Sequence, residues 1–239
     1  MKYQQLVVNG CSYMNQYGVG QGHQDLAKML NIPLSENLAL SGSANGRILR
    51  TTLKHSYTVS HPTFYVLGMT FLSRDELPIC KIQNLFEGRW SNPQNQDFKE
   101  LWNYPWTQKD TDTYVDLKLK WESVSIIDRL EDLQYRMLAT ISDVKSRGHG
   151  ILVYNQADIF DVDITVDPLF RPMAQCKHIV HGYAWQSVPW QHKNNVPPTI
   201  YPATNKHKVP PELVHPRPGY HTLLNEYLVK YINDYCLLE

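Results

Sequence analysis

Short apolar runs alternate with longer segments of helical periodicity along much of the chain. Four runs predict β-strands, namely Gln5–Val8, "ENLAL" (36–40), Thr63–Gly68 and "GILVYN" (150–155). Apolar residues that recur every three or four positions predict helices in "HQDLAKMLNI" (23–32), "NGRILRTTLKHSYTV" (45–59), Ser123–Lys145 and Tyr220–Tyr235. This alternation is typical of an α/β fold, in which helices cover both faces of a mostly parallel sheet.

The helix predicted at Ser123–Lys145 is the longest of these, and both of its ends carry stop signals. Ser125 stands just before the apolar stripe, where a hydroxyl can cap the first turn. At the other end "SRGHG" (146–150) supplies a glycine stop next to basic residues. We therefore expect the helix to begin near Ser125 and to end before Gly148.

Two long stretches interrupt the alternation. The first, 78–121, is rich in aromatic residues, Asn, Gln and Pro with weak periodicity, and the second, 187–211, contains six prolines. Loops of this length in a compact domain are more often lids or binding loops than linkers. The first could form an aromatic floor for a sugar ring or another chain, or pack as a cap over the sheet. We interpret residues 1–239 as a single domain with these two insertions.

Charge and composition narrow the classes of partner. Twenty-three basic and twenty-three acidic side chains cancel, so no global field attracts nucleic acid or an anionic membrane. Charged residues make up only 19% of the chain, while Tyr (15) and Trp (6) are plentiful. Such a surface is compatible with sugar-like ligands but does not identify them.

The four cysteines are scattered without a C-x-x-C pair, which favours reduced thiols. "MKYQQLVVNG" lacks the long apolar stretch of a signal peptide, and no run approaches transmembrane length. We therefore expect a soluble, cytoplasmic protein. "CKHIVHGY" places Cys176, His178 and His181 near one another, but this ligand set is incomplete, so we expect neither a metal nor another cofactor.

Candidate chemistry lies where the predicted strands end, because ligands of open α/β sheets bind beyond the carboxyl ends of the strands. Three blocks occupy such positions: "NGCSY" (9–13), "SGSANG" (41–46) and "GMTFLSR" (68–74). A fourth, "PPELVHPRPGYH" (210–221), precedes the last predicted helix. A serine, glycine turns and a distant histidine with a nearby acid are the parts of a nucleophilic acyl-transfer site.

These four blocks, in this order, resemble those of the SGNH (GDSL-like) hydrolase superfamily, of which the chain would be a divergent member. The correspondence pairs Gly10-Cys11-Ser12 with its Gly-Asp-Ser block, Gly42 with its glycine after the second strand, Gly68-Met69-Thr70 with its Gly-x-Asn block, and Glu212-Leu213-Val214-His215 with its Asp-x-x-His block. The resemblance implies a flavodoxin-like three-layer α/β/α sandwich. Cys11, Thr70 and Glu212 each replace the family's residue.

The resemblance also implies a role for each residue. Ser12 would be the nucleophile, His215 the general base, and Glu212 the acid that fixes the imidazole. The backbone N–H groups of Ser12 and Gly42, with the Thr70 hydroxyl, would form the oxyanion hole.

Several residues have a second interpretation. Ser12 could be an ordinary turn serine. Cys11 could be the nucleophile of a Cys/His pair, although the residue before an exposed turn serine is expected to face inward as a small packing group.

Positive and polar residues near the turns are candidates for substrate binding, namely Asn45, Arg47 and Arg74. The alternative for Arg47, Arg50 and Arg74 is a solvated helix charge. His207 and His221 are expected at the surface or rim, although His221 could also hydrogen-bond within the site.

The leading hypothesis is a serine esterase or acyltransferase that acts on a small ester, such as an O-acyl group on a carbohydrate. Its partner would be a small-molecule or glycan ester, with no nucleic acid and no membrane, while the oligomeric state stays open. The alternatives are a non-catalytic binding protein with the same fold and a subunit of a larger assembly.

Overall fold

The computed structural model describes residues 2–11, 14, 22–40, 43–70, 75–78, 98–101, 124–155, 168–183 and 218–239. Ser12, Gly42, Arg74, Glu212 and His215 lie outside the described residues, as do His207 and most of the two predicted insertions. The prediction of one domain with these insertions stays a prediction.

A parallel sheet of five strands forms the centre of the described part of the chain. In chain order the strands are β1 (Gln5–Gly10), β2 (Leu34–Asn37), β3 (Thr63–Met69), the short β4 (Asp75–Pro78) and β5 (Phe98–Leu101), β6 (Gly150–Asn155) and β7 (Ile179–Tyr183). β4 and β5 pair with each other in a separate antiparallel sheet. The main sheet has the order β2-β1-β3-β6-β7, which is the flavodoxin-like order.

The helices cover both faces of this sheet. They are α1 (Gly22–Met29), α2 (Asn45–Thr58), α3 (Ile126–Ser146), the short α4 (Arg171–Ala174) and α5 (Pro218–Asp234). Because successive strand residues face opposite ways, the sheet has two apolar faces. One face packs against α1 and α5 through residues that include Leu6, Val8, Phe64, Leu26 and Leu228. The other packs against α2 and α3 through residues that include Val7, Leu67, Ile151, Ile48 and Met137. The predicted three-layer α/β/α sandwich is confirmed.

The predicted ends of α3 are confirmed. Ser125 is the N-cap, and its Oγ accepts a hydrogen bond from the Asp128 N–H at 3.0 Å. After the helix, Gly148 adopts a φ of 80°, in the left-handed region where an L side chain is strained.

The prediction of the second strand is displaced: β2 spans Leu34–Asn37 rather than 36–40, so it begins two residues and ends three residues earlier than predicted. β2 lies at an edge of the sheet, and Leu34 is 54% exposed, so its hydrophobic pattern is weak. Beyond the strand the chain still follows β1. The Leu38 N–H donates to the Val8 carbonyl at 2.8 Å, and the Leu40 N–H donates to the Gly10 carbonyl at 3.2 Å.

β7 was not predicted from the sequence. Its residues lie within "CKHIVHGY", which was interpreted only as an incomplete metal site. His178, just before β7, donates from Nδ1 to the Ile151 carbonyl at 2.9 Å, and its Nε2 accepts from Lys145 Nζ at 2.8 Å. Both ring nitrogens are thus engaged by protein groups. Within the described ranges, no three His, Cys, Asp or Glu side chains are grouped so that they could hold a metal ion.

Four buried histidines make the fold sensitive to acid. Burial lowers the pKa of His23, His149 and His178, and it lowers the pKa of His221 to about 4. Between the ordinary histidine pKa and these lowered values, the unfolded chain binds protons that the folded chain does not. The free energy of unfolding therefore decreases as the pH falls from about 6.5 toward 4.

We expect the melting temperature, measured by circular dichroism, to fall progressively across this pH range. The fall should be shallower in His221→Gln, compared with the wild type at equal ionic strength. A melting temperature that stays constant from pH 7 to pH 4.5 would contradict this prediction.

Among the described helices, none combines the length and the apolar composition needed to cross a membrane.

Candidate active site

The ends of β1 and β3 lie side by side at the carboxyl edge of the sheet. Gly10 is paired with Gly68 in the parallel register, and the Leu40 N–H donates to the Gly10 carbonyl. The three blocks that begin or continue at these positions therefore start from one edge. This arrangement is the one expected for a ligand site of an open α/β sheet.

The chain is anchored in the core on both sides of Ser12 and Tyr13. Cys11 before the pair and Met14 after it are both fully buried in the core shared with α1 and α5. The Met14 carbonyl accepts a hydrogen bond from Asn37 Nδ2 at 2.9 Å. Cys11 thus packs inward as predicted, and a fully buried thiol is poorly placed to attack a substrate.

Gly10 is required by the tightness of this turn. A Cβ at position 10 would lie 2.5 Å from Met14 Cγ and 3.0 Å from the Gly68 carbonyl oxygen. The glycine therefore leaves room for the Met14 side chain beside the paired ends of β1 and β3.

Asn9 connects the end of β1 to α2. Its Nδ2 donates to the Ile48 carbonyl at 3.0 Å and to Thr52 Oγ1 at 3.0 Å, while its Oδ1 accepts from the Gly10 N–H at 2.9 Å. The side chain is fully buried, so these bonds are not exchanged with water. Asn9, the first residue of the first block, is therefore held against α2.

Asn45 connects α2 to the end of β3. Its Oδ1 accepts from the Thr70 N–H at 2.8 Å, and its Nδ2 donates to the Thr70 carbonyl at 3.0 Å. Asn45 is 5% exposed, and Thr70 is completely buried. Asn45, which was predicted to bind substrate, thus pairs through its amide with the backbone of Thr70, the residue predicted for the oxyanion hole.

Leu40 and Ser43, on either side of Gly42 in the sequence, are hydrogen-bonded to each other, and Ser43 is also bonded to Arg47. The Ser43 N–H donates to the Leu40 carbonyl at 3.1 Å, and Ser43 Oγ donates to the same carbonyl at 2.8 Å. Arg47 Nη1 in turn donates to Ser43 Oγ at 2.8 Å. Because Arg47 is only 4% exposed, its interpretation as a solvated helix charge is wrong.

Two buried histidines lie in the first turns of α1 and α5, at the same edge of the sheet. Asn225 Nδ2 on α5 donates to the Gly22 carbonyl at the start of α1 at 3.0 Å, so these helices begin side by side. The expectation that His221 lies at the surface is wrong, since it is 7% exposed. Burial lowers the pKa of both His23 and His221, which favours neutral imidazoles at neutral pH.

The sequence contained a signal for both positions. His23 precedes Leu26 and Ala27 at helical spacing, and His221 precedes Leu224 and Leu228 in the same way. A histidine on the apolar stripe of a helix faces the core, and this rule would have placed both.

One solved structure gives a likeness that spans both chains. It is the crystal structure of the psychrotrophic esterase EstA from Pseudoalteromonas sp., inhibited by monoethylphosphonate, with a TM-score of 0.50, 8% identity and 98% of each chain covered. The likeness is one of fold. No protein-family model matches the sequence, and no curated protein is significantly similar to it.

The catalytic residues implied by the resemblance stay predictions, because Ser12, Glu212 and His215 lie outside the described residues. The described helix α5 begins at Pro218, shortly after His215 in the sequence. Since α5 begins next to α1 at the carboxyl edge, the described end of the fourth block, Pro218–His221, lies at this edge.

Proposed function

We propose that this chain is a serine esterase or acyltransferase of the SGNH type that acts on a small ester, such as an O-acyl group on a carbohydrate. One observation carries the proposal. At the carboxyl edge of the sheet, the Leu40 N–H, two residues before Gly42, donates to the Gly10 carbonyl, two residues before Ser12. At the same edge, Thr70 pairs with the Asn45 amide. The fold likeness to an esterase adds support.

In the proposed reaction, Ser12 Oγ attacks the acyl carbonyl while His215 takes the hydroxyl proton. Glu212 would hold the imidazole in the required tautomer and stabilise the imidazolium as it forms. Collapse of the tetrahedral intermediate releases the alcohol, which takes its proton from His215, and leaves an acyl group on Ser12. Water or an acceptor alcohol then attacks the acyl group in the same way.

The negative charge of the tetrahedral intermediate needs donors that are in place beforehand. We assign this role to the backbone N–H groups of Ser12 and Gly42 and to the Thr70 hydroxyl. The Thr70 N–H donates to Asn45, so the role assigned to Thr70 is that of its side-chain hydroxyl. Loss of a single donor of this kind typically costs about 3–4 kcal/mol of transition-state stabilisation.

Positive charge beside the site favours a substrate with an anionic or strongly polar group. Arg47 lies one turn into α2, next to Ser43, and Arg74 follows Thr70 in the sequence. We propose these two arginines as substrate-binding residues and expect no cofactor, because the proposed chemistry needs only protein groups.

A fluorophosphonate probe tests the proposal directly, because it phosphonylates activated serines. We expect stoichiometric labelling of the folded protein, and peptide mass spectrometry should place the label on Ser12. Ser12→Ala should not react, while Ser56→Ala, which lacks a buried serine whose Oγ donates to the Leu53 carbonyl, should react normally. A folded wild-type protein that takes up no label would refute the proposed function.

A binding protein with the same fold is the second candidate. It is favoured by Thr70, which stands where the family has Asn and is completely buried. Turnover of a simple acetyl ester that disappears in Ser12→Ala would eliminate this candidate.

A further inference from the structure

Two buried histidines lie in the first turns of neighbouring helices. His23 is the second residue of α1, and His221 is the fourth residue of α5. Their exposed fractions are 9% and 7%. The two helices are in contact there, because Asn225 Nδ2 donates to the Gly22 carbonyl at 3.0 Å. A change in the charge of either imidazole therefore acts on one shared part of the carboxyl edge.

A positive charge is unfavourable at both positions for two reasons. The first N–H groups of a helix have no intrahelical acceptor, so a helix N-terminus carries a positive partial charge that repels a cation. Burial adds a second cost, because an imidazolium in the core loses its hydration. At neutral pH, His23 and His221 therefore stay in the core as neutral imidazoles.

His23 also differs from His149 in its hydrogen bonds. Among the residues that the structure describes, none supplies a partner to the buried Nδ1 of His23. Both ring nitrogens of His149 are bonded, with Nδ1 accepting from the Thr63 N–H at 3.2 Å and Nε2 donating to the Ser56 carbonyl at 3.3 Å. A proton added to Nδ1 of His23 would meet no acceptor in the described part of the chain, so the charged ring must move to reach water.

The charge on α1 itself does not offset the burial of His23. Asp25 raises the pKa of His23, but burial has the larger effect and the pKa is lowered. The Asp25 carboxylate also lies 3.7 Å from Lys28 Nζ, which weakens its field. For His221 on α5, burial is the cause of the lowered pKa.

The elements packed against these helices do not supply a countercharge either. Glu36 of β2 is bonded to Gln5 and His55, and Glu226 of α5 is exposed. The titratable groups of the core cluster that α1 and α5 share are a thiol and phenols, which are uncharged in acid. They belong to Tyr3, Cys11, Tyr154, Tyr227 and Tyr231.

We propose that mild acid opens the contact between the first turns of α1 and α5, because protonated His23 and His221 leave the core for water, while β1, β3 and β6 stay folded. The change is local and reversible, and it occurs at the carboxyl edge, where the candidate site lies. It goes beyond the loss of stability of the whole fold in acid, since one part of the molecule opens before the rest. It does not depend on the proposed esterase activity.

The opening should depend steeply on pH. The pKa of His221 is about 4 in the closed form and about 6.5 for an imidazole in water. The open form therefore binds protons more strongly, and the ratio of open to closed molecules rises as the pH falls from 7 toward 4. Between pH 7 and pH 5, protonation of His221 alone raises this ratio about 20-fold, and protonation of His23 raises it further.

Hydrogen–deuterium exchange of the wild-type protein measures this opening. The N–H groups of Leu26, Ala27, Leu224 and Asn225 bond to carbonyls of the two first turns, so their exchange reports whether these turns are closed. After correction for the intrinsic rate, we expect their protection to fall about 20-fold or more from pH 7 to pH 5, and that of β1, β3 and β6 to fall much less. Unchanged protection of the four amides, or an equal loss in the central strands, would overturn the inference.

Substitution of the two histidines tests the cause. The double variant His23→Gln/His221→Gln has no titrating group in either first turn, so the protection of the four amides should not change between pH 7 and pH 5. His149→Gln is the matched control, because this buried histidine lies at the amino edge, just before β6, and the variant should keep the wild-type pH dependence at the four amides.

The variants also decide against the inference if they behave otherwise. A double variant with the pH dependence of the wild type would show that other groups open the helices. Loss of the pH dependence in His149→Gln would show that the effect belongs to the whole fold. Should the double variant fail to fold, His23→Gln alone should reduce the pH dependence, and the comparison of helices with central strands in the wild type still decides the question.

Discussion

Replacement of Ser12 by alanine is expected to lower kcat for hydrolysis of an acetyl ester by about 10⁴-fold or more. The reason is that the acyl-enzyme cannot form without the hydroxyl, and only the oxyanion hole and substrate binding continue to assist direct attack by water. KM should change little, because the deleted oxygen contributes to the reaction rather than to binding. Steady-state kinetics with p-nitrophenyl acetate measure both constants, and thermal melting verifies that the variant is folded.

Two further variants determine whether the effect belongs to Ser12. Ser56→Ala removes a buried serine hydroxyl near the end of α2, and it should retain wild-type kcat. Cys11→Ala tests the neighbouring thiol, which is fully buried in the core. If Cys11→Ala abolished turnover and Ser12→Ala did not, the nucleophile would be the thiol and the assignment to Ser12 would be wrong.

The strands that the sequence predicted well are the central ones. β1, β3 and β6 each have neighbours on both sides and helices on both faces, so each contains a continuous run of buried apolar residues. β2 and β7 lie at the edges of the described sheet. In β2, Leu34 is exposed and residues 35–37 are only half-buried, so this strand gives no continuous apolar run. Prediction from periodicity therefore weakened toward the edges.

The placement of the candidate site followed from topology rather than from any one motif. In a parallel sheet all carboxyl ends lie at one edge, so three blocks after three strands had to approach one another. The hydrogen bonds of Asn9 and Asn45 were not predictable in this way. The sequence does not show whether an asparagine amide faces water or pairs with a peptide group far away in the chain, such as that of Thr70.

For the buried histidines His23 and His221, the sequence could predict the burial but not the pKa. His221 lies on the apolar stripe of α5 and is buried, although it was expected at the surface or rim. The periodicity alone would have predicted the burial. The lowered pKa of His221 depends on the atoms that enclose it and could not be read from the sequence. The contact of Ser12 with His215 stays a prediction that the labelling and kinetic experiments test.

Gly150→Ala is expected to destabilise the protein by about 3 kcal/mol, the upper end of the range for overpacked cores. Gly150 opens β6, and a Cβ there would lie 2.3 Å from Phe64 Cδ2 and 2.7 Å from Tyr3 Oη. These two rings pack against each other with centroids 5.3 Å apart, so neither can move away without disturbing the core. The melting temperature should fall by about 6–12 °C for a chain of this size.

A substitution at Gly148 provides a control in which the cost comes from backbone strain rather than from steric overlap. A Cβ at position 148 has no atom within 4 Å, but its φ of 80° strains an L residue. Gly148→Ala should therefore cost about 1 kcal/mol, and Gly148→Asn less, because asparagine tolerates this conformation. If Gly150→Ala were no more destabilising than Gly148→Ala, the packing of Tyr3 and Phe64 around β6 would be looser than the distances imply.

A compensating substitution tests the cause of the predicted loss at Gly150. Phe64→Leu alone should destabilise the core, because it deletes part of a fully buried ring. In combination with Gly150→Ala, however, the smaller leucine vacates the volume that the new methyl group needs. The double variant should therefore unfold at a higher denaturant concentration than the sum of the two single effects predicts. Additive losses would mean that the methyl group meets an obstacle other than Phe64, and Tyr3→Phe then tests the Tyr3 hydroxyl, which lies 2.7 Å from the new Cβ.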